Sequence, residues 1–121
     1  MDWDVRLHDA FEAEFQAFAN EVQIEMLALA KLLAECGPQL GRPYVDTLKG
    51  SKHSNMKEMR FSAADGEWRT AFAFDPARNA ILLVAGDKSG GSQKRFYKQL
   101  IAKADKRFSD HLENLKSVKK G

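Results

Sequence analysis

Three strand-like segments follow one another between Met56 and Lys88 with very little chain between them, and this spacing decides most of what the sequence can fold into. Met56 to Phe61, Glu67 to Phe74 and Ala80 to Lys88 are separated by Asp65-Gly66 and by Asp75-Pro76 up to Asn79. A parallel crossover needs about a dozen residues or more, so neighbours this close pair antiparallel, as a meander. The third segment is apolar on both faces, as befits a central strand covered above and below.

The flanks read as helices. Phe11, Phe15, Phe18, Val22, Met26, Leu29 and Leu33 recur at steps of three and four and form one apolar stripe. Asp9 is placed to cap it, with Glu12 three residues on as in a capping box. Gly37-Pro38 ends it. The stripe fits either one long helix from Asp9 to Cys36 or a helical hairpin broken near Asn20. Before it, Trp3 to Leu7 alternates as a short strand does. Residues 37–55 are turn-rich and irregular. Ser92 is a candidate cap for a last helix that buries Phe96, Leu100, Ala104, Phe108, Leu112 and Leu115. Ser117 to Gly121 reads as a frayed basic tail. The expected fold is a single α+β domain over residues 1–121. A helical hairpin or long helix packs on a small, twisted, mainly antiparallel sheet, and a helix closes the chain.

With 121 residues, 44% of them hydrophobic and 30% charged, the chain has material for a core without staples. No apolar run reaches the roughly 18–20 residues of a membrane span, and the acidic start at Asp2 and Asp4 is unlike a signal peptide. The lone Cys36 has no internal partner, which fits a cytoplasmic protein. Net charge of +2 conceals a split. Residues 1–40 hold two Lys/Arg against eight Asp/Glu, and residues 41–121 hold seventeen against nine. One end is acidic and the other basic, an asymmetry suited to a polyanion on one face.

Alternation sorts the strand side chains. Trp68, Thr70, Phe72 and Phe74 share one side and belong to a core. Arg69, Ala71 and Ala73 share the other, where small residues beside a guanidinium leave room for a substrate. In the preceding strand Met59 and Phe61 go to the core with Lys57, and Glu58 and Arg60 go to the Arg69 side. Such a Glu can take a proton from a ribose 2′-hydroxyl while the arginines neutralise the phosphate. A cross-strand salt bridge without catalytic meaning fits these residues equally well. Lys88 is a candidate phosphate contact at a strand end. Asp87 stands where a phosphate-binding P-loop requires glycine, so that motif is excluded. Lys94, Arg95 and Lys98 open the last helix around Tyr97, which offers either a stacking surface or a phenol, or simply packs at the sheet edge. Lys49, Lys52, His53 and Lys57 supply further basic groups for RNA. His8, His53 and His111 lack metal-ligand spacing with one another or with Cys36.

The succession Gly37-Pro38, Gly41-Arg42-Pro43, Leu48-Lys49-Gly50, Met56-Lys57-Glu58-Met59-Arg60, Trp68-Arg69, Leu83-Val84-Ala85-Gly86-Asp87-Lys88 and Phe96-Tyr97-Lys98 resembles the RelE/ParE toxin superfamily, most closely its HigB-like, phage-derived branch. The resemblance implies a toxin of a type II toxin–antitoxin system that enters the ribosomal A site and cuts messenger RNA. The 2′-hydroxyl attacks the adjacent phosphate without metal or cofactor and leaves a cyclic phosphate. It implies a helix-turn-helix antitoxin as partner. Carried over, Arg69 matches the arginine that holds the scissile phosphate. Glu58 and Arg60 fall where members place two basic residues or a carboxylate base. Lys88 matches a charge stabiliser or proton donor, and Tyr97 lies near a C-terminal tyrosine or histidine. The final region has no histidine before His111, which leaves the general acid unassigned. The superfamily's gyrase-poisoning branch, which lacks an RNase groove, and an attenuated relative that binds RNA or its antitoxin without cutting are the alternatives.

Overall fold

In the computed structural model, which describes residues 2–120 (the last three by backbone alone), the central hairpin is formed by β3 (Met56–Ala63) and β4 (Gly66–Phe74). They pair from Met56 opposite Ala73 to Ala63 opposite Gly66. Ala64 and Asp65 form the turn, with φ of 50° and 61°. Positive φ at both central residues is the primed turn whose twist matches that of the strands. The turn therefore lies one residue before the Asp65-Gly66 expected from sequence. Gly66 is already in β4, and it is glycine for another reason: a Cβ there would lie 2.5 Å from the Asp87 carboxylate.

β5 (Asn79–Asp87) runs antiparallel to β4, and β1 (Asp4–Leu7) runs parallel to β5. β2 (Val45–Thr47) adds to the free side of β3, so the order is β1-β5-β4-β3-β2. β2 lies within the stretch expected to be irregular, and three residues are too few to show a period. In β5 the register steps from Val84 opposite Ala71 to Leu82 opposite Phe72. Leu83 is the extra residue of a bulge, so Leu83 and Val84 both enter the same core.

The N-terminal layer is a hairpin, not one long helix: α1 (Asp9–Gln16) and α2 (Asn20–Cys36). Gln23 of α2 donates its side-chain amide to the carbonyls of Phe15, Gln16 and Phe18, satisfying groups that the end of α1 leaves open. The cap of α1 is His8 rather than Asp9; its Nδ1 accepts from the Ala10 N–H at 3.1 Å. Gly37 terminates α2 at φ 61°, where the Trp3 indole leaves no room for a side chain. α3 (Gln93–Lys120) begins at Ser92, whose Oγ accepts from the Arg95 N–H. It continues through residues 117–120, which the sequence presents as a frayed tail, while Gly121 lies outside the described residues.

The sheet separates two cores. α1 and α2 bury Phe11, Phe15, Met26 and Leu33 against Met59, Phe61, Phe72 and Leu82. α3 buries Leu100, Ala104 and Phe108 against Met56, Ala71, Ala73, Ile81 and Leu83. The room above Ala71 and Ala73 is thus taken by α3, not left for a substrate; both alanines are fully buried. Polar ties help to fix the C-terminal half of α3. His111 Nε2 meets Asp75 Oδ2 at 2.7 Å, and Asp75 Oδ1 accepts from the N–H groups of Ala77 and Asn79 in the β4–β5 turn. Arg107 makes a two-pronged pair with Glu14 of α1 and donates to the Leu83 carbonyl at 2.7 Å.

Candidate functional site

Strand register sets the site. Arg60 lies directly opposite Arg69, and Glu58 opposite Ala71, so all three charged side chains leave the face on which α3 packs. The first turn of α3 closes over this end of the sheet. The Tyr97 hydroxyl donates to Glu58 Oε1 at 2.9 Å. The Phe96 ring sits on Gly86, which pairs with Arg69, and a Cβ at Gly86 would come within 2.9 Å of that ring.

Arg69 and Glu58 are only 5% and 7% exposed, far less than is usual for such groups. They face each other without bonding: Arg69 Nε is 3.9 Å from Glu58 Oε1. The Arg69 guanidinium donates from NH1 to the Trp68 carbonyl at 2.9 Å, while its buried Nε has no partner among the described residues. A buried donor left unsatisfied costs about 1–3 kcal/mol, more when charged, so the arrangement is held in place by its surroundings. Burial pushes the Tyr97 phenol above its usual range, and the hydrogen bond to Glu58 and that group's charge add to the effect, with Arg69 opposing. The phenol is therefore protonated at neutral pH and available as a donor.

On the β2 side, Asp46 lies opposite Glu58. Its Oδ2 accepts from Arg42 at 2.6 Å and is 4.0 Å from Arg60 NH1. The Thr47 N–H and then Arg42 draw the Asp46 carboxyl below its usual range, with slight burial opposing. Arg42, Arg60 and Arg69 line one open depression of about 330 Å³. Neither Arg42 nor Asp46 is singled out by the sequence, because their meeting depends on β2.

The remaining candidates divide by place. Lys88 is half-buried just past β5, where its N–H bonds the Glu67 carbonyl and Asp87 ties down Ser89. Lys94, Arg95 and Lys98 are exposed on the opening turns of α3, the end that carries Tyr97. Lys49 and Lys52 are exposed on the β2–β3 connection. That connection is fastened to the middle of α3, through Ser51 and the Lys52 N–H on Asp105 and through His53 Nε2 on Ser109 Oγ at 3.0 Å. Residues 105–109 are roughly 12–18 Å along the helix from Tyr97. His53 also rests edge-on against Phe108, so its ring has a structural seat. Lys57 pairs with Phe72 and leaves the opposite face of the sheet from Glu58. Among the described residues no three His, Cys, Asp or Glu side chains come together in a group that could hold a metal ion. No described helix is long and apolar enough to cross a membrane.

The family model described as phage derived protein Gp49-like (DUF891) matches residues 13–109. A Mycobacterium tuberculosis protein carrying the toxin name HigB2 is 46% identical over 95 residues, which cover 78% of this chain and 47% of that protein. A second, carrying the toxin name HigB3, is 44% identical over 101 residues, covering 84% of this chain and 86% of its own. The chain therefore spans about half the length of the first relative and most of the second. Among solved structures, an arginine-to-alanine double mutant of the E. coli toxin RelE in its free state superposes with a TM-score of 0.62 at 10% identity, covering 85% of this chain and 97% of that one. The archaeal RelE–RelB complex from Pyrococcus horikoshii gives 0.53 at 17% identity, covering 75% and 100%. At such identities the superpositions speak for the fold.

Proposed function

Because the chain belongs to the Gp49-like family of phage-derived proteins, within the HigB-like branch of the RelE superfamily, we propose that it is the toxin of a toxin–antitoxin pair and acts by cutting messenger RNA on the ribosome. One observation carries the chemistry. A carboxylate, a guanidinium with an unpaired buried Nε and a protonated phenol converge at Glu58, Arg69 and Tyr97, with Arg60 beside them.

In this reading Glu58 takes the proton of a ribose 2′-hydroxyl. The freed 2′-oxygen attacks the adjacent phosphorus, the bond from phosphorus to the 5′-oxygen breaks, and a 2′,3′-cyclic phosphate remains. Arg69 and Arg60 hold the charge that builds on the phosphate oxygens. The leaving 5′-oxygen takes its proton from the Tyr97 hydroxyl, which is protonated at neutral pH. Lys88 and the opening turn of α3 guide the strand electrostatically. The partner in this reading is an antitoxin with a helix-turn-helix module.

The test is induced expression with transcript 5′ ends mapped before and after. New ends within translated codons, absent with Arg69→Ala, are expected. Growth arrest without new ends overturns cleavage. A binding-only role as an attenuated relative draws its support from the same geometry, since an arginine 5% exposed must be uncovered before it meets a phosphate. Toxicity fully retained by Arg69→Ala decides for that role or for an inhibitor of another target, such as gyrase.

A further inference from the structure

The geometry points to a second phosphate subsite beside the Arg69 pocket, formed by Arg42 with Arg60 bridging from the scissile phosphate, and with Asp46 as the counter-ion of both guanidiniums in the RNA-free protein. This rests on the reading of Arg69 and Glu58 as RNA-facing groups and extends it by one phosphate along the strand.

Three observations carry it. The depression of about 330 Å³ is bounded by Arg42, Pro43, Arg60, Ser62, Glu67 and Arg69, so one open hollow joins three guanidiniums. Their exposure is graded, with side-chain values of 5% for Arg69, 30% for Arg60 and 72% for Arg42. A strand that places one phosphate at the buried end passes the other two on its way out. Thirdly, a single carboxylate serves both outer arginines: Asp46 Oδ2 is 2.6 Å from Arg42 and 4.0 Å from Arg60. An exposed pair of this kind adds little to stability, so the cluster is not needed to hold the fold. Like charges gathered in one hollow repel until an anion joins them, and Asp46 supplies that anion within the chain. Asp46 meets both arginines through Oδ2 alone, whereas a phosphate can take two parallel N–H donors from a guanidinium. Glu67, held by Ser62 Oγ at 2.7 Å, marks the side from which a phosphate is turned away.

The probe is a set of 2′-O-methyl dinucleotides, which cannot cyclise, carrying no terminal phosphate, a 5′-phosphate or a 3′-phosphate. Binding is measured by calorimetry over a salt series. The wild-type protein is expected to bind one of the two phosphorylated forms about tenfold more tightly than the bare dinucleotide. Arg42→Ala loses that gain, and its salt slope falls by about one, with the bare dinucleotide bound as before. Asp46→Asn, which removes the competing carboxylate, increases the gain severalfold, an effect that a structural role for Asp46 would not produce. No gain in the wild-type protein, or an equal gain in Arg42→Ala, overturns the subsite and leaves the Arg69 reading intact. Bare-dinucleotide binding that is indifferent to Arg69→Ala overturns both, and no binding of any of the three probes by the wild-type protein overturns the subsite.

Discussion

The Tyr97 hydroxyl and Glu58 Oε1, 2.9 Å apart, join the start of α3 to β3, so one hydrogen bond both closes the helix on the sheet and orients the carboxylate. Tyr97→Phe separates these roles from packing, because the ring stays. The buried acceptor then loses its donor, and stability is expected to fall by about 1–3 kcal/mol in urea unfolding at pH 7. The sign with pH follows from the raised pKa: the contribution of Tyr97 is full below its ordinary value of 10.0 and is lost as pH rises through the folded one. The wild-type protein should therefore weaken above pH 10 and the variant should weaken less, as read from unfolding midpoints between pH 8 and 11. Matching alkaline profiles would show that the phenol is not bonded in solution.

Asp75 gives the opposite limb. Its burial alone would raise the carboxyl pKa, but hydrogen bonds from His111, Asn79 and Ala77 carry it below the ordinary 3.8. A depressed carboxyl contributes stability above that value and loses it as pH falls through the folded pKa. Asp75→Ala is expected to cost about 2–4 kcal/mol at pH 7, since it frees the β4–β5 turn and a partner on α3 together. The deficit against wild type should shrink below pH 4. A constant deficit from pH 7 to 2.5 would contradict this.

The β3–β4 turn holds an alanine at φ 50°, where an L residue costs roughly 1–2 kcal/mol. Ala64→Asn should raise the unfolding free energy by about 0.5–1 kcal/mol, measured by thermal melting, because Asn tolerates that conformation. Gly66→Ala should do the reverse, since its Cβ would collide with the Asp87 carboxylate. Stabilisation by Gly66→Ala would contradict the close approach of the Asp87 carboxylate to this position.

Ala71 decides what small residues on the Arg69 side are for. α3 packs on it with no exposure left, so Ala71→Leu overfills a seated helix interface and should destabilise by about 1–3 kcal/mol in denaturant. An unchanged midpoint combined with lost RNA cleavage would instead mean open space for a substrate.

Ala71 also shows where sequence legibility ended. Both a substrate groove and a closely seated helix demand small side chains, and alternation along one strand cannot distinguish them. The sorting of Glu58, Arg60 and Arg69 to one face was legible, since Trp68, Phe72 and Phe74 mark the opposite side of β4 as a core face. The parting of α1 from α2 was open, because the stripe from Phe11 to Leu33 continues in phase across the break. His8 was hidden as a cap by the better-suited Asp9 next to it. Arg42 resembled nothing more than part of a turn between Gly41 and Pro43, and its meeting with Asp46 beside Arg60 depends on a strand three residues long.

The Arg107 guanidinium that grips the Leu83 carbonyl and Glu14 has a bearing on solubility. β1 pairs with β5 only as far as Leu82, so among the described residues the rest of β5 has no strand beside it on that flank. An unpaired apolar strand is where a second chain could add itself and start aggregation. Here a half-buried cation anchored from the far helix occupies the Leu83 carbonyl, and an incoming strand would have to evict it before it could begin to zip.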